Sequence, residues 1–335
     1  MTIIHRSCLS LCLLTVIACA SNPPIPEQAP PPASLSPAPV ETTKSSEPPQ
    51  APESPKVEKP VAPIPVWRLT EGVSTPESVL YDEANGRYLV SNINGKPDEA
   101  DNNGFIMEVT PDGKVTKPKF IAGGEGKVKL DAPKGSGIAG GILYVSDITV
   151  VRKFDAQTGA PKGEIPIPGS TFLNDIAIAI AKDGRVFVSD SAVKVGQKGF
   201  EPTGTDAVYV IDQGKVKTVA KAKDLAGPNG LHPVDNGVLV VALTGDELYR
   251  LDDKGVRQDI TKLPNGGLDG IVSVGDSLLI TSWGASAIYR GKLGGKFEVA
   301  YAELKGPADI AFDSKRKRVL VPRFLDNAIE AYDLK

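Results

Sequence analysis

Between residues 66 and 335 the hydrophobic side chains come in short runs broken by Gly, Asp and Asn, and no stretch sustains a helical period. One unit recurs. It has a small or polar start, a short apolar strand, a turn, a second apolar strand and a polar end. The first strands read Pro76-Glu77-Ser78-Val79-Leu80-Tyr81, Gly135-Ser136-Gly137-Ile138-Ala139, Asn174-Asp175-Ile176-Ala177, Asn229-Gly230-Leu231-His232, Asp269-Gly270-Ile271-Val272 and Ala308-Asp309-Ile310-Ala311. Each leads to a turn such as Asn85-Gly86 or Asn236-Gly237 and then to a second strand such as Arg87-Tyr88-Leu89-Val90 or Val238-Leu239-Val240-Val241. Third strands such as Gly104–Val109, Ala207–Ile211 and Glu247–Leu251 extend the unit. Aligning Glu77, Ser136, Asn174, Asn229, Asp269 and Ala308 gives spacings of 59, 38, 55, 40 and 39 residues. The shorter ones suit a four-stranded blade of roughly 40 to 45 residues. The pattern predicts an all-β domain, a six-bladed β-propeller of four-stranded antiparallel blades, whose ring closure leaves no long exposed edge.

In that architecture the start of each first strand and the end of each second strand share one face of the ring. The starts carry Glu77, Ser136, Asn174, Asn229, Asp269 and Ala308, and the ends carry Asn92, Asp147, Asp190, Thr244, Trp283 and Arg323. First strands line the central channel. Glu77, Asn174, Asn229 and Asp269 are therefore expected to gather at its mouth as a set of oxygen donors suited to a hard divalent cation. Asp and Asn at strand ends also cap turns through bonds to backbone N–H groups, and that structural reading stands beside the functional one at Asp147 and Asp190.

Composition narrows the chemistry. All three cysteines, at positions 8, 12 and 19, precede the domain, so it has no disulfide, thiolate nucleophile or cysteine–zinc site. His232 is the domain's one histidine, which leaves little basis for a Ser-His-Asp triad or a histidine-rich metal site. The net charge of −3 and the lack of a long basic block argue against nucleic acid, with Lys315–Arg318 read as a solvated hairpin tip. Gly135-Ser136-Gly137-Ile138-Ala139-Gly140 fits a dinucleotide-binding spacing but runs into a strand, Ile142–Val145, where that motif needs a helix.

The N-terminal region has a different pattern. A polar start is followed by an apolar run that ends at Cys19, too short for a membrane span. Val16-Ile17-Ala18-Cys19 resembles a bacterial lipobox. The resemblance implies a signal peptide over 1–18, an acylated Cys19, and a protein exported to the cell envelope and anchored to a membrane. That would be the outer membrane, facing the periplasm, in a Gram-negative cell, since Ala20-Ser21 lacks an inner-membrane retention Asp. Residues 20–65 hold 15 of the 29 prolines and no aromatic side chain, so 19–65 is expected to be a disordered tether joining the anchor to the domain at 66–335.

Within the domain, Glu77, the pair Asn174-Asp175, Pro228-Asn229-Gly230-Leu231 and Leu268-Asp269-Gly270-Ile271 occur in the order found in the regucalcin/gluconolactonase superfamily, also called the senescence marker protein family, which the chain resembles over about residues 70 to 335. The segment Ser91–Pro97 is similar to a bacterial branch of it. The resemblance implies a divalent metal, calcium first with zinc or magnesium as alternatives, held by Glu77, Asn229 and Asp269. Asn174 would face the substrate, and the activity would be hydrolysis of a small lactone or ester with Asp269 as base. In that reading Asp147 or Asp190 could take the proton in place of Asp269, and both would face the substrate together with Trp283 and Arg323, which shape the mouth. Three departures stand out. Phe172 occupies a position where the family's enzymes often carry Arg, His232-Pro233 replaces an aromatic, and Thr75-Pro76 precedes Glu77 in place of the usual turn. The competing reading is a non-catalytic propeller that binds a glycan, peptide or envelope protein, and on either reading the chain is expected to be monomeric.

Overall fold

The computed structural model describes residues 63–179 and 184–334. The signal peptide, Cys19 and nearly all of the tether expected from the sequence lie outside the described residues. Among the described residues no helix is long and apolar enough to cross a membrane. Six four-stranded antiparallel sheets form the blades of a propeller. Their innermost strands are Pro76–Asp82, Pro133–Ala139, Leu173–Ala179, Pro228–Val234, Leu268–Val274 and Ala311–Asp313. Each touches the next, and the last touches the first, so the ring closes around a channel.

Closure uses a strand that the repeat pattern did not mark. Trp67–Leu69 pairs antiparallel with Ala328–Asp333 and becomes the outermost strand of blade 6. Trp67 packs against Tyr88 of blade 1, with ring centroids 6.2 Å apart. The chain's two ends thus share one sheet, which removes the exposed strand edge that an open ring would leave.

The core is divided into six apolar clusters, one between each pair of neighbouring blades. Leu89 and Ile106 of blade 1 meet Leu143 and Phe154 of blade 2. Tyr88 and Val90, on the opposite face of the same strand as Leu89, meet Leu320 and Ile329 of blade 6. The remaining interfaces repeat this arrangement. A second strand is therefore buried on both faces, which is why Arg87–Val90 and Val238–Val241 read as continuous apolar runs without polar alternation.

At the start of the innermost strand, blades 1 to 5 carry a β-bulge, following Pro76, Pro133, Leu173, Pro228 and Leu268. A bulge adds one residue opposite its partner strand and re-aims the side chains there. The bulge residues are Glu77, Lys134-Gly135, Asn174-Asp175, Asn229-Gly230 and Asp269-Gly270. Adjacent strands come so close at this level that a Cβ on Gly135 would lie 2.5 Å from Asp175 Oδ1, and one on Gly230 2.2 Å from the Asp269 carbonyl oxygen. Hydroxyls on the second strands then cross to carbonyls where the innermost strand of the next blade enters the channel. Ser91 donates to Lys134 O at 2.5 Å, Ser146 to Asn174 O, and Thr281 to Ala308 O at 3.1 Å. The serine ahead of Asp147 has this role, whereas Ser189, ahead of Asp190, accepts from Asp175 N of its own blade at 2.8 Å.

Candidate functional site

The register corrects two sets of the sequence alignment. Counted from the first paired residue of each innermost strand, the ring at the channel mouth consists of Glu77, Lys134, Asn174, Asn229, Asp269 and Ala308. Ser136 lies two residues further down its strand, paired with Val145. Lys134 was the residue missed. The signal was present in the sequence, because four blades enter the channel with proline (Pro76, Pro133, Pro228 and Pro307), and aligning on proline puts Lys134 level with Glu77 and Asn229. Proline suits that place, as the first residue of a strand need not donate to the ladder.

On the second strands, the residues opposite those entry points are Asn92, Asp147, Asp190, Ala242, Ser282 and Arg323. Thr244 and Trp283 lie two and one residues beyond. Asn92, Asp147, Asp190 and Arg323 fasten the loop entering their own blade. Asn92 Oδ1 accepts from Ser74 N at 2.9 Å. Asp147 accepts from Asp131 N and Ala132 N and pairs with Arg152 Nε at 2.7 Å. Asp190 accepts from Thr171, Phe172 and Ala192 N. Arg323 donates to the carbonyls of Lys305 and Glu303 and pairs with Asp326 and Glu330. The expected substrate-facing roles of Asp147, Asp190 and Arg323 give way to this stapling role, because their donors and acceptors are engaged by the entering backbone and by ion pairs. Trp283 departs from the pattern because it is one residue past the pairing. Its side chain turns to the channel, where Nε1 donates to Asp269 Oδ2 at 2.8 Å.

The structure brings together Glu77, Lys134, Asn174, Asn229, Asp269 and Trp283 around a small, partly open cavity of about 20 Å³, room for roughly one water. Glu77, Lys134 and Asp269 are 5%, 1% and 4% exposed. Two carboxyl oxygens of this group, Glu77 Oε2 and Asp269 Oδ1, have no hydrogen-bond partner. Asn174 spends its amide N–H on Ser191 Oγ at 3.0 Å, and Asn229 spends its own on Leu268 O at 3.3 Å. Both amides have a carbonyl oxygen left to offer. Burial, reinforced by Asp269 and opposed by Lys134, raises the Glu77 pKa well above the usual carboxylate value. Burial likewise pushes Asp269 up to about 7, against the lowering pull of the Trp283 hydrogen bond. Among the described residues no three His, Cys, Asp or Glu side chains form a metal-binding group by themselves. The donor set suits a hard cation only when the two amides join the two carboxylates, and the two orphaned carboxylate oxygens are an observation in favour of that fit.

Aromatic side chains roof the cavity. Phe172 meets Phe200 edge to face at 5.7 Å, and Trp283 meets Phe324 at 5.1 Å. Phe200 belongs to an additional hairpin, Val193–Gly196 and Gly199–Pro202, between the second and third strands of blade 3. Together with residues 93–104 of blade 1 it accounts for the two long repeat spacings. The two insertions meet where Val195 N donates to Asp98 Oδ2 at 2.7 Å. The Lys134 ammonium lies 4.2 Å from the centroid of Phe172, so a positive charge missing from position 172 arrives there from the neighbouring blade.

A second and larger cavity, about 550 Å³, opens at the other end of the channel, lined by Tyr81, His232, Ile271, Asp309 and Phe312 among others. His232 thus lies away from the ring. Asp175 also lines this larger cavity, its carboxylate accepting from Ile176 N and Leu231 N at 2.6 Å each.

A scan against protein-family models and a search of curated proteins both find no match. Solved structures do resemble the chain. A gluconolactonase from Xanthomonas campestris has a TM-score of 0.59 at 18% identity, over 78% of this chain and 87% of that one. The calcium-binding protein regucalcin from Agrobacterium tumefaciens has 0.52 at 19%, over 76% and 84%. Virginiamycin B lyase from Staphylococcus aureus has 0.53 at 16%, over 80% and 99%. What these proteins share with this chain is the six-bladed propeller on which the site is built, and two of them are structures of the superfamily whose motifs the sequence resembles.

Proposed function

We propose that the domain binds a divalent cation at the channel mouth and uses it to hydrolyse a small lactone or ester. The observation that carries the proposal is the pair of orphaned, buried carboxyl oxygens, Glu77 Oε2 and Asp269 Oδ1, on two residues that line one small cavity. Glu77, Asn229 and Asp269 would hold the cation, calcium first and zinc or magnesium as alternatives. When bound, such an ion polarises a carbonyl and acidifies water. Trp283 fixes the Asp269 carboxylate by one oxygen and leaves the other turned to the cavity, where Asp269 would accept the proton of the attacking water. Asn174, anchored on Ser191, would orient the substrate. The aromatic roof narrows the way in, and a substrate larger than water would need it to part, most simply by movement of the Phe200 hairpin. We also propose that acylated Cys19 and the proline-rich tether place this chemistry at the cell envelope.

The test is thermal unfolding of the folded domain with chelator and with calcium. At a calcium concentration about 100 times Kd the domain gains about 2.7 kcal/mol, and Asp269→Ala removes that gain. If calcium, zinc and magnesium all leave the wild type unmoved, the proposal fails. The small size of the cavity favours a second reading, a non-catalytic module whose ring serves structure or cation binding alone. Cation binding without turnover across a panel of lactones and esters would select it.

A further inference from the structure

Lys134 is the one member of the ring that neither the repeat alignment nor the resemblance assigns. Its ammonium group is buried, yet Nζ makes a single hydrogen bond, to Ala132 O at 3.2 Å. An ammonium carries three donors, so two lack a protein acceptor. No ion pair joins it to Glu77 or Asp269 among the described residues, so no carboxylate oxygen lies within 4.0 Å. Its other close neighbour is the Phe172 ring, which attracts the cation without accepting a conventional hydrogen bond. A buried charge left in this state is expensive.

The nearby carboxylates offer Lys134 no close partner. Glu77 and Asp269 would hold the divalent cation, and Asp309, buried and electrostatically linked to both, lies beside Ser78 on the blade 6 side of the ring. Asp147 is engaged by Arg152 and by backbone N–H groups, and Asp98 by Val195 N. Asp175 accepts two backbone N–H groups behind the ring.

We infer that Lys134 selects a ligand bearing one anionic group, a carboxylate beside the reacting carbonyl, which takes the two open ammonium donors while the rest of the ligand faces the cation. This rests on the metal-site reading above and narrows its substrate class from small lactones and esters to acidic ones. A hydrogen bond to a charged partner contributes about 1.5–3 kcal/mol, which corresponds to about ten-fold in affinity or more.

The experiment uses two inert probes of equal shape, tetrahydrofuran-2-carboxylate and its primary amide. Their binding is measured by calorimetry at millimolar concentration with calcium and with chelator, on the wild type and on Lys134→Met. The wild type is expected to bind the carboxylate about ten-fold or more tighter than the amide, and Lys134→Met to lose that preference while keeping its calcium-induced rise in melting temperature. Equal binding of both probes by the wild type, no binding of the carboxylate, or a preference that survives Lys134→Met overturns the inference. Should Lys134→Met fail to fold, the comparison of the two probes on the wild type still decides. The two readings fail separately. A calcium response without anion preference discards Lys134's role and keeps the metal site. Anion preference without any metal response keeps Lys134's role and discards the metal site.

Discussion

Trp283→Phe isolates one interaction at the ring. The substitution removes the indole N–H that donates to Asp269 Oδ2 at 2.8 Å and retains an aromatic ring to pack on Phe324. The acceptor is a buried carboxylate whose other oxygen is already orphaned, so the loss is expected at about 1.5–3 kcal/mol. For a domain of this size that is a fall in Tm of roughly 3–12 °C. The effect should depend on pH, with a definite sign. Burial pushes the Asp269 pKa in the folded chain up to about 7 from an ordinary 3.8, so between these values the folded chain holds a proton that the unfolded chain releases. Its contribution to stability is therefore fully present below the lower value and is lost as pH rises through the upper one. The metal-free wild type should gain stability on going from mildly alkaline to mildly acidic solution. Trp283→Phe should be most damaging on the alkaline side, where Asp269 is charged. Chelator-treated protein unfolded by heat, followed by circular dichroism across this range, gives the answer. A loss that does not change with pH, or one below about 0.5 kcal/mol on the alkaline side, the size of an ordinary surface change, would refute the claim that Trp283 holds an ionisable Asp269.

Other predictions separate the site from its scaffold. Asp190→Ala, which frees three backbone N–H groups, should lower stability by about 2–4 kcal/mol in denaturant titration and still leave a calcium-induced rise in Tm. Gly135→Ala puts a methyl group 2.5 Å from Asp175 Oδ1 and 2.6 Å from its Cα. It should destabilise by about 1–3 kcal/mol or more, and no loss would mean that blades 2 and 3 are further apart than described. Phe200→Ala removes a half-exposed roof residue. It should change stability by less than about 1 kcal/mol while speeding cation association in stopped-flow measurements, and an unchanged rate would remove the hairpin from the entry path.

The propeller was legible because its signal is redundant. Every blade repeats the same apolar run, turn and apolar run, and a run such as Tyr88-Leu89-Val90 is apolar throughout because both of its faces are buried, towards blade 6 and towards blade 2. Glu77, Asn174, Asn229 and Asp269 were legible for a related reason. They recur at one place in the repeat, and a ring turns a shared place in sequence into proximity. Lys134 was missed, and Ser136 put in its place, because the bulge that follows Pro133 breaks strict alternation and Gly135-Ser136-Gly137 imitates the start of a repeat. Asp147, Asp190 and Arg323 show the opposite failure. The sequence locates them correctly at the strand ends, yet the same residue types serve ligands and turns, and only their partners distinguish the two uses.

By itself, then, the sequence determined the all-β architecture, the number of blades and the ring that carries two carboxylates and two amides, since all of these follow from local periodicity. The tertiary structure decided which side chains turn inward, through the bulges that shift the register by one residue. It also decided that Trp67–Leu69 closes the ring, that aromatic insertions roof the site and that a lysine stands among the carboxylates. These features depend on contacts between residues far apart in the chain, such as Trp67 with Tyr88 and Phe172 with Lys134. Periodicity carries no information about such pairs until the ring has brought them together.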